Sequence, residues 1–137
     1  MDIRDSTMAQ QVAQAAGDFQ RQRTGHAPKA VTAILSEDTL VITLHGALSP
    51  AEEALAKSPA GAAQVQDFHR QLFASSCEPL RQEIKRITGV AVREASAEVE
   101  TSTGTVVQVF TTGGMVQVFL LAPGLTADAW HGNGVSE

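Results

Sequence analysis

The chain has 137 residues, 43% hydrophobic and 18% charged, which is enough to bury a core without a disulfide or metal and too apolar for disorder throughout. Ten basic residues against fifteen acidic ones give a formal charge of −5, which argues against nucleic-acid binding, because phosphate affinity is built from accumulated lysine and arginine contacts. A single cysteine, Cys77, rules out an intrachain disulfide, and no apolar stretch approaches the ~20 residues of a membrane helix.

The start, "MDIRDSTMAQ", lacks the basic-then-apolar order of a secretion signal, so a cytoplasmic protein without direct membrane insertion is expected. Residues 5–22 read as a helix, with Met8, Val12, Ala15, Ala16 and Phe19 recurring at three- and four-residue steps. So thin an apolar stripe cannot hold a helix alone, and it must dock on its own domain or on a second subunit. Gly25 and Pro28 end it. Two β-rich runs follow, Ala30–Leu35 and Thr39–His45, around the polar turn Ser36-Glu37-Asp38, which predicts a hairpin. Leu40, Ile42 and Leu44 share one face of the second run, and Val41, Thr43 and His45 the other.

The sharpest local signal comes next. Ser49 suits an N-cap, Pro50 the first helical position, and Glu52 closes a capping box, predicting a short helix at 50–57. Ser58-Pro59 repeats the start of that pattern and opens a long helix, Pro59–Thr88. One face of it carries Val65, Phe68, Leu72, Phe73, Cys77, Leu80, Ile84 and Ile87. Pro79 predicts a kink, and Gly89 a stop.

Beyond Gly89 the period changes to two. Val90–Thr101 reads as one long strand with a bulge near Arg93-Glu94, followed by a turn at Thr101–Gly104. The tetrapeptide Val-Gln-Val-Phe then occurs twice, at Val107–Phe110 and Val116–Phe119, on either side of Thr111–Gly114. This spacing suits a hairpin better than a ligand-binding repeat. The expected fold is α+β, in the order α-ββ-αα-βββ, with a mostly antiparallel sheet of about five strands and a long kinked helix packed on one face. Residues 1–122 form the expected domain, with the helix of residues 1–24 as a dimerisation element; 123–137 are a flexible tail carrying the lone Trp130.

Chemistry is harder to find. The histidines, His26, His45, His69 and His131, form no pair at the spacing of a helical zinc site, and there is no Cys-x-x-Cys motif. Cys77 has Glu78 beside it and apolar neighbours on its face, the setting of an inert buried thiol. No catalytic residue, cofactor or metal is therefore expected. Arg21, Arg23 and Lys29 cluster before the first strand, and together with the helix start at Ser49 they make a candidate anion site. Val12, Phe19, Phe110, Phe119 and Trp130 are the candidate interface residues, since each adds apolar surface on an edge element.

Three stretches in order carry a family resemblance. The first is "TGHAPKAVTAILSEDTLVITLHGALSPAEEALAKSPAG", with Gly25, Pro28, Gly46, Leu48, Ser49, Pro50, Ala51 and Glu52 at the telling positions. The others are "EPLRQEIKRITGVAV", with Pro79 and Gly89, and "EVETSTGTVVQVFT", with its Thr101–Gly104 turn. Together they resemble the bacterial MpsC family, linked with a sodium-translocating, membrane-potential-generating system. The resemblance implies a small cytosolic domain near membrane transport machinery, without established catalytic residues. The leading expectation is a non-enzymatic interaction or regulatory module. It would be homodimeric and accessory to a membrane ion or inorganic-carbon transport system, with a membrane transport protein as partner. A small anion- or nucleotide-binding sensor is the alternative, and a small enzyme using a histidine or Cys77 is the third reading.

Overall fold

The computed structural model of the protein describes residues 7–36, 38–111, 124 and 127–130. The first helix, α1 (Met8–Thr24), starts at a reciprocal cap: the Thr7 hydroxyl accepts from the Gln10 amide at 3.0 Å, and the Gln10 side-chain carbonyl accepts from the Thr7 amide at 2.8 Å. It stops at Gly25, whose φ of 79° is left-handed and whose N–H donates to the Arg21 carbonyl at 2.8 Å. Its thin apolar stripe, Val12, Ala16 and Phe19, is buried in the chain's own core. Thr7→Ala is expected to cost about 1 kcal/mol in urea unfolding, with faster hydrogen exchange at the Gln10 amide as its local signature.

β1 (Ala30–Ser36) and β2 (Thr39–His45) form the expected antiparallel hairpin, from Ala30 opposite His45 to Ser36 opposite Thr39. Three helices follow: α2 (Pro50–Leu55), α3 (Pro59–Ser76) and α4 (Glu78–Thr88). β3 (Glu94–Glu100) and β4 (Thr105–Thr111) then complete an antiparallel sheet in the order β1-β2-β4-β3. The pairing registers put Ile42, Leu44, Val106, Gln108, Phe110, Ala97 and Val99 on one face, toward the helices. Here α1 lies over β1 and against α4, while α3 lies over β3. Aromatic contacts tie the layers together: Phe73 of α3 stands edge-on to Phe19 of α1 at 6.3 Å, and its ring centroid is 6.0 Å from that of Phe110 in β4. The opposite sheet face carries Ile34, Val41, Val107 and Val109 beside Thr43, Ser96 and Glu98.

Four expectations need correction. The long kinked helix is two helices, parted at Cys77, which caps the C-terminus of α3 and leads into α4. Pro79 lies in the first turn of α4, where a missing N–H breaks no helical bond, so it starts a helix and does not bend one. The strand after Gly89 begins at Glu94, not at Val90. The Val92 and Arg93 carbonyls are instead taken by the Arg81 guanidinium, at 2.9 and 3.2 Å, which replaces the expected bulge. Among the described residues the sheet has four strands. β4 is paired on both edges, to β2 and to β3, so this sheet leaves it no edge for a hairpin partner. The second Val-Gln-Val-Phe copy, Val116–Phe119, lies outside the described residues. The tail includes one helical turn, α5 (Ala127–Trp130).

Candidate functional site

Polar side chains placed inside the core stand out because burying one costs free energy unless it is hydrogen-bonded. A connected set runs from α2 through α3 to the interface of α1 with β4. At its outer end, Ser49 caps α2. Its hydroxyl accepts from the Glu52 amide at 3.2 Å, while Glu52 Oε1 accepts from the Ser49 amide at 3.0 Å and lies 3.1 Å from the Ser49 hydroxyl. The other carboxylate oxygen, Glu52 Oε2, is 2.6 Å from His69 Nε2. His69 is buried on the core face of α3, four residues after Val65 and four before Phe73.

Burial pushes the Glu52 carboxyl up. Hydrogen bonds from Ser49 and His69, with the electrostatic attraction of His69, outweigh it and hold the group below the ordinary carboxylate value. The arrangement is unlike a nucleophilic triad: the carboxylate stands between the hydroxyl and the imidazole, so His69 does not reach Ser49 to take its proton. Its immediate work is to lock α2 onto α3.

Past His69, a small, partly open cavity of about 10 Å³ is lined by Gln20 and Arg23 of α1, His69 of α3 and Gln108 of β4, among apolar side chains. Gln20 and Gln108 are 4% and 1% exposed. Gln20 Nε2, Arg23 Nε and both Gln108 amide atoms are buried without a hydrogen-bond partner among the described residues. The sequence carried a signal for this that was not read: Gln108 has the parity of Val106 and Phe110, so a polar group had to face the core.

The predicted anion cluster does not assemble as one site. Arg21 lies 3.8 Å from Asp18 and, with Lys29, lines an open surface groove of about 890 Å³ along α1 that also carries Glu83 and Arg86. Ser49 is engaged in its own cap. Only Arg23 turns toward the interior, its guanidinium 5.1 Å from the Phe19 ring centre. Of the interface candidates, Val12, Phe19 and Phe110 are buried in the core, with Val12 and Phe110 also lining the groove described next. Phe119 and the Trp130 side chain lie outside the described residues. Cys77 is buried as well.

Exposed apolar surface gathers elsewhere. Met8, Leu35 and Val90 rim a groove of about 410 Å³ at one end of the molecule, with Phe110 on its wall and the charged Asp38 and Arg93 at its border.

Comparison with known proteins agrees on a family. The family model described as "Na+-translocating membrane potential-generating system (MpsC)" matches residues 4–113. The "Uncharacterized protein YbcI" of Bacillus subtilis (strain 168) is 27% identical over 92 residues, which make up 67% of this chain and 74% of that protein. No solved structure gives a significant match.

Proposed function

Because the chain belongs to the MpsC family, named for a Na+-translocating membrane potential-generating system, we propose that it serves such a membrane ion or inorganic-carbon transport system as an accessory module. It acts by binding, not by catalysis, at the cytoplasmic face, and two copies pair to form the working unit. Among the described residues, no helix is long and apolar enough to cross a membrane, which fits a part that attaches to transport machinery instead of forming it.

The observation that carries this reading is the apolar groove. Leu35 and Val90 are 68% and 67% exposed and sit together on its rim, whereas scattered single apolar residues would need no explanation. Among the described residues, the border holds one anion and one cation, Asp38 and Arg93. A twofold axis through such a patch sets each copy's Asp38 against the other's Arg93, and this self-complementarity favours a second copy of the chain as occupant. The Ser49 hydroxyl engaged by Glu52 in a helix cap and the burial of Cys77 support binding over catalysis.

Sedimentation equilibrium at high micromolar concentration should give a dimer. Val90→Glu should weaken association about 30-fold or more, as expected for charging an apolar contact worth roughly 2 kcal/mol. Its circular dichroism should be unchanged, because Val90 lies outside every helix and strand. A wild-type chain that stays monomeric, or a mutant that dimerises as well as wild type, would refute pairing through this groove.

A further inference from the structure

We infer that the internal cavity bounded by Gln20, Arg23, His69 and Gln108 is a binding site for one small monovalent anion of halide size. Three N–H donors face it without an acceptor: Gln20 Nε2, Arg23 Nε and Gln108 Nε2. A single unpartnered acceptor, Gln108 Oε1, stands with them. Among the described residues the wall holds no carboxylate: Glu52 contacts His69 Nε2 but does not line the cavity. Among the described residues Arg23 makes no ion pair, and its guanidinium lies 5.1 Å from the Phe19 ring centre.

Size and charge then select the occupant. About 10 Å³ accommodates one water-sized species and excludes a phosphate or nucleotide. A water could accept two of the three N–H groups and would still need a second acceptor for its other hydrogen. A halide accepts one N–H from each of the three nitrogens and neutralises the guanidinium, leaving the Gln108 carbonyl and the second hydrogen of each amide unmet. Donors fixed on two elements, with both glutamines almost wholly buried, give a preorganised site that flexible surface lysines do not. Half-buried Arg23 links the cavity to the surface, and an anion there would staple α1 to β4.

The test is thermal unfolding of the whole chain at constant ionic strength, with sodium bromide or chloride replacing sodium gluconate. The site predicts a saturable rise of the melting midpoint of about 4 °C at ten times the dissociation constant. Gln108→Leu removes both unpaired amide atoms in an apolar setting, and should fold and lose the halide-specific rise. Arg23→Met should lose it too, and serves if the first variant does not fold. Crystals grown in bromide should show an anomalous peak within hydrogen-bond distance of Arg23 Nε and Gln108 Nε2. Equal midpoints in gluconate and bromide, an equal halide response in wild type and both variants, or a cavity holding only water would overturn the assignment.

Discussion

Gly61→Ala is expected to lower folding stability by about 3 kcal/mol, a fall of roughly 10 °C in melting temperature. Two effects of opposite sign compete at this position. Alanine is the better helix former, by about 1 kcal/mol, and Gly61 is the third residue of α3. A methyl group there, however, would stand 1.8 Å from the Leu55 carbonyl oxygen and 2.8 Å from its carbon. Those are main-chain atoms at the end of α2, which is held by the Ala56 amide donating to the Glu52 carbonyl at 2.9 Å. They cannot retreat by more than an ångström without unwinding the α2–α3 junction, so the clash outweighs propensity. Urea unfolding of the single mutant decides the matter, and a gain in stability would mean that the two helices do not pack this closely.

Glu52→Ala is expected to cost a similar amount, about 3 kcal/mol, because it removes the partner of a buried imidazole together with a helix cap. Glu52 serves Ser49 and His69 at once, at 3.0 and 2.6 Å. Glu52→Gln keeps an acceptor for the Ser49 amide and should cost less, which separates the charge from the shape. The pH dependence follows from the direction of the shift. The folded carboxyl titrates below its ordinary value of 4.5, since the Ser49 and His69 contacts outweigh desolvation by burial. Its contribution is therefore complete above the unfolded pKa and is lost as pH falls through the folded one. Urea midpoints measured from neutral pH to roughly pH 3 should fall more steeply for wild type than for Glu52→Gln. Parallel curves would show that the carboxylate does not stabilise the fold through its charge.

Signals confined to a few residues were legible in the sequence, and those set by distant partners were not. Ser49, Pro50 and Glu52 announce a helix start because all three act within one turn, and the same holds for Gly25 and Gly89 as stops. The hairpin of β1 with β2 follows from alternation across a short turn. The break at Cys77 was hidden because one apolar face continues through it, from Phe73 to Leu80 and Ile84, and periodicity alone cannot separate two collinear helices from one bent one. The pairing of β2 with β4 depends on strands far apart in the chain, and adjacency in sequence suggested a different neighbour for the first Val-Gln-Val-Phe copy. The polar interior was missed for the same reason. Gln20, His69 and Gln108 come from three elements, and only the folded packing brings them to one cavity. The basic cluster was misread in the opposite sense, since neighbours in sequence turn to different sides of α1: Arg21 outward, Arg23 inward.

The position of β4 also bears on how the protein comes into being. The last strand of the described sheet occupies an interior slot, between a strand made before the helices and one made just ahead of it. During synthesis β2 must wait, one flank bare, until α2, α3, α4 and β3 have all left the ribosome. Such long-range closure slows folding and leaves the nascent hairpin open to wrong pairings in the interval. A chain ended before Thr105 would keep every helix from α1 to α4 and still lack the strand that joins the two halves of the sheet.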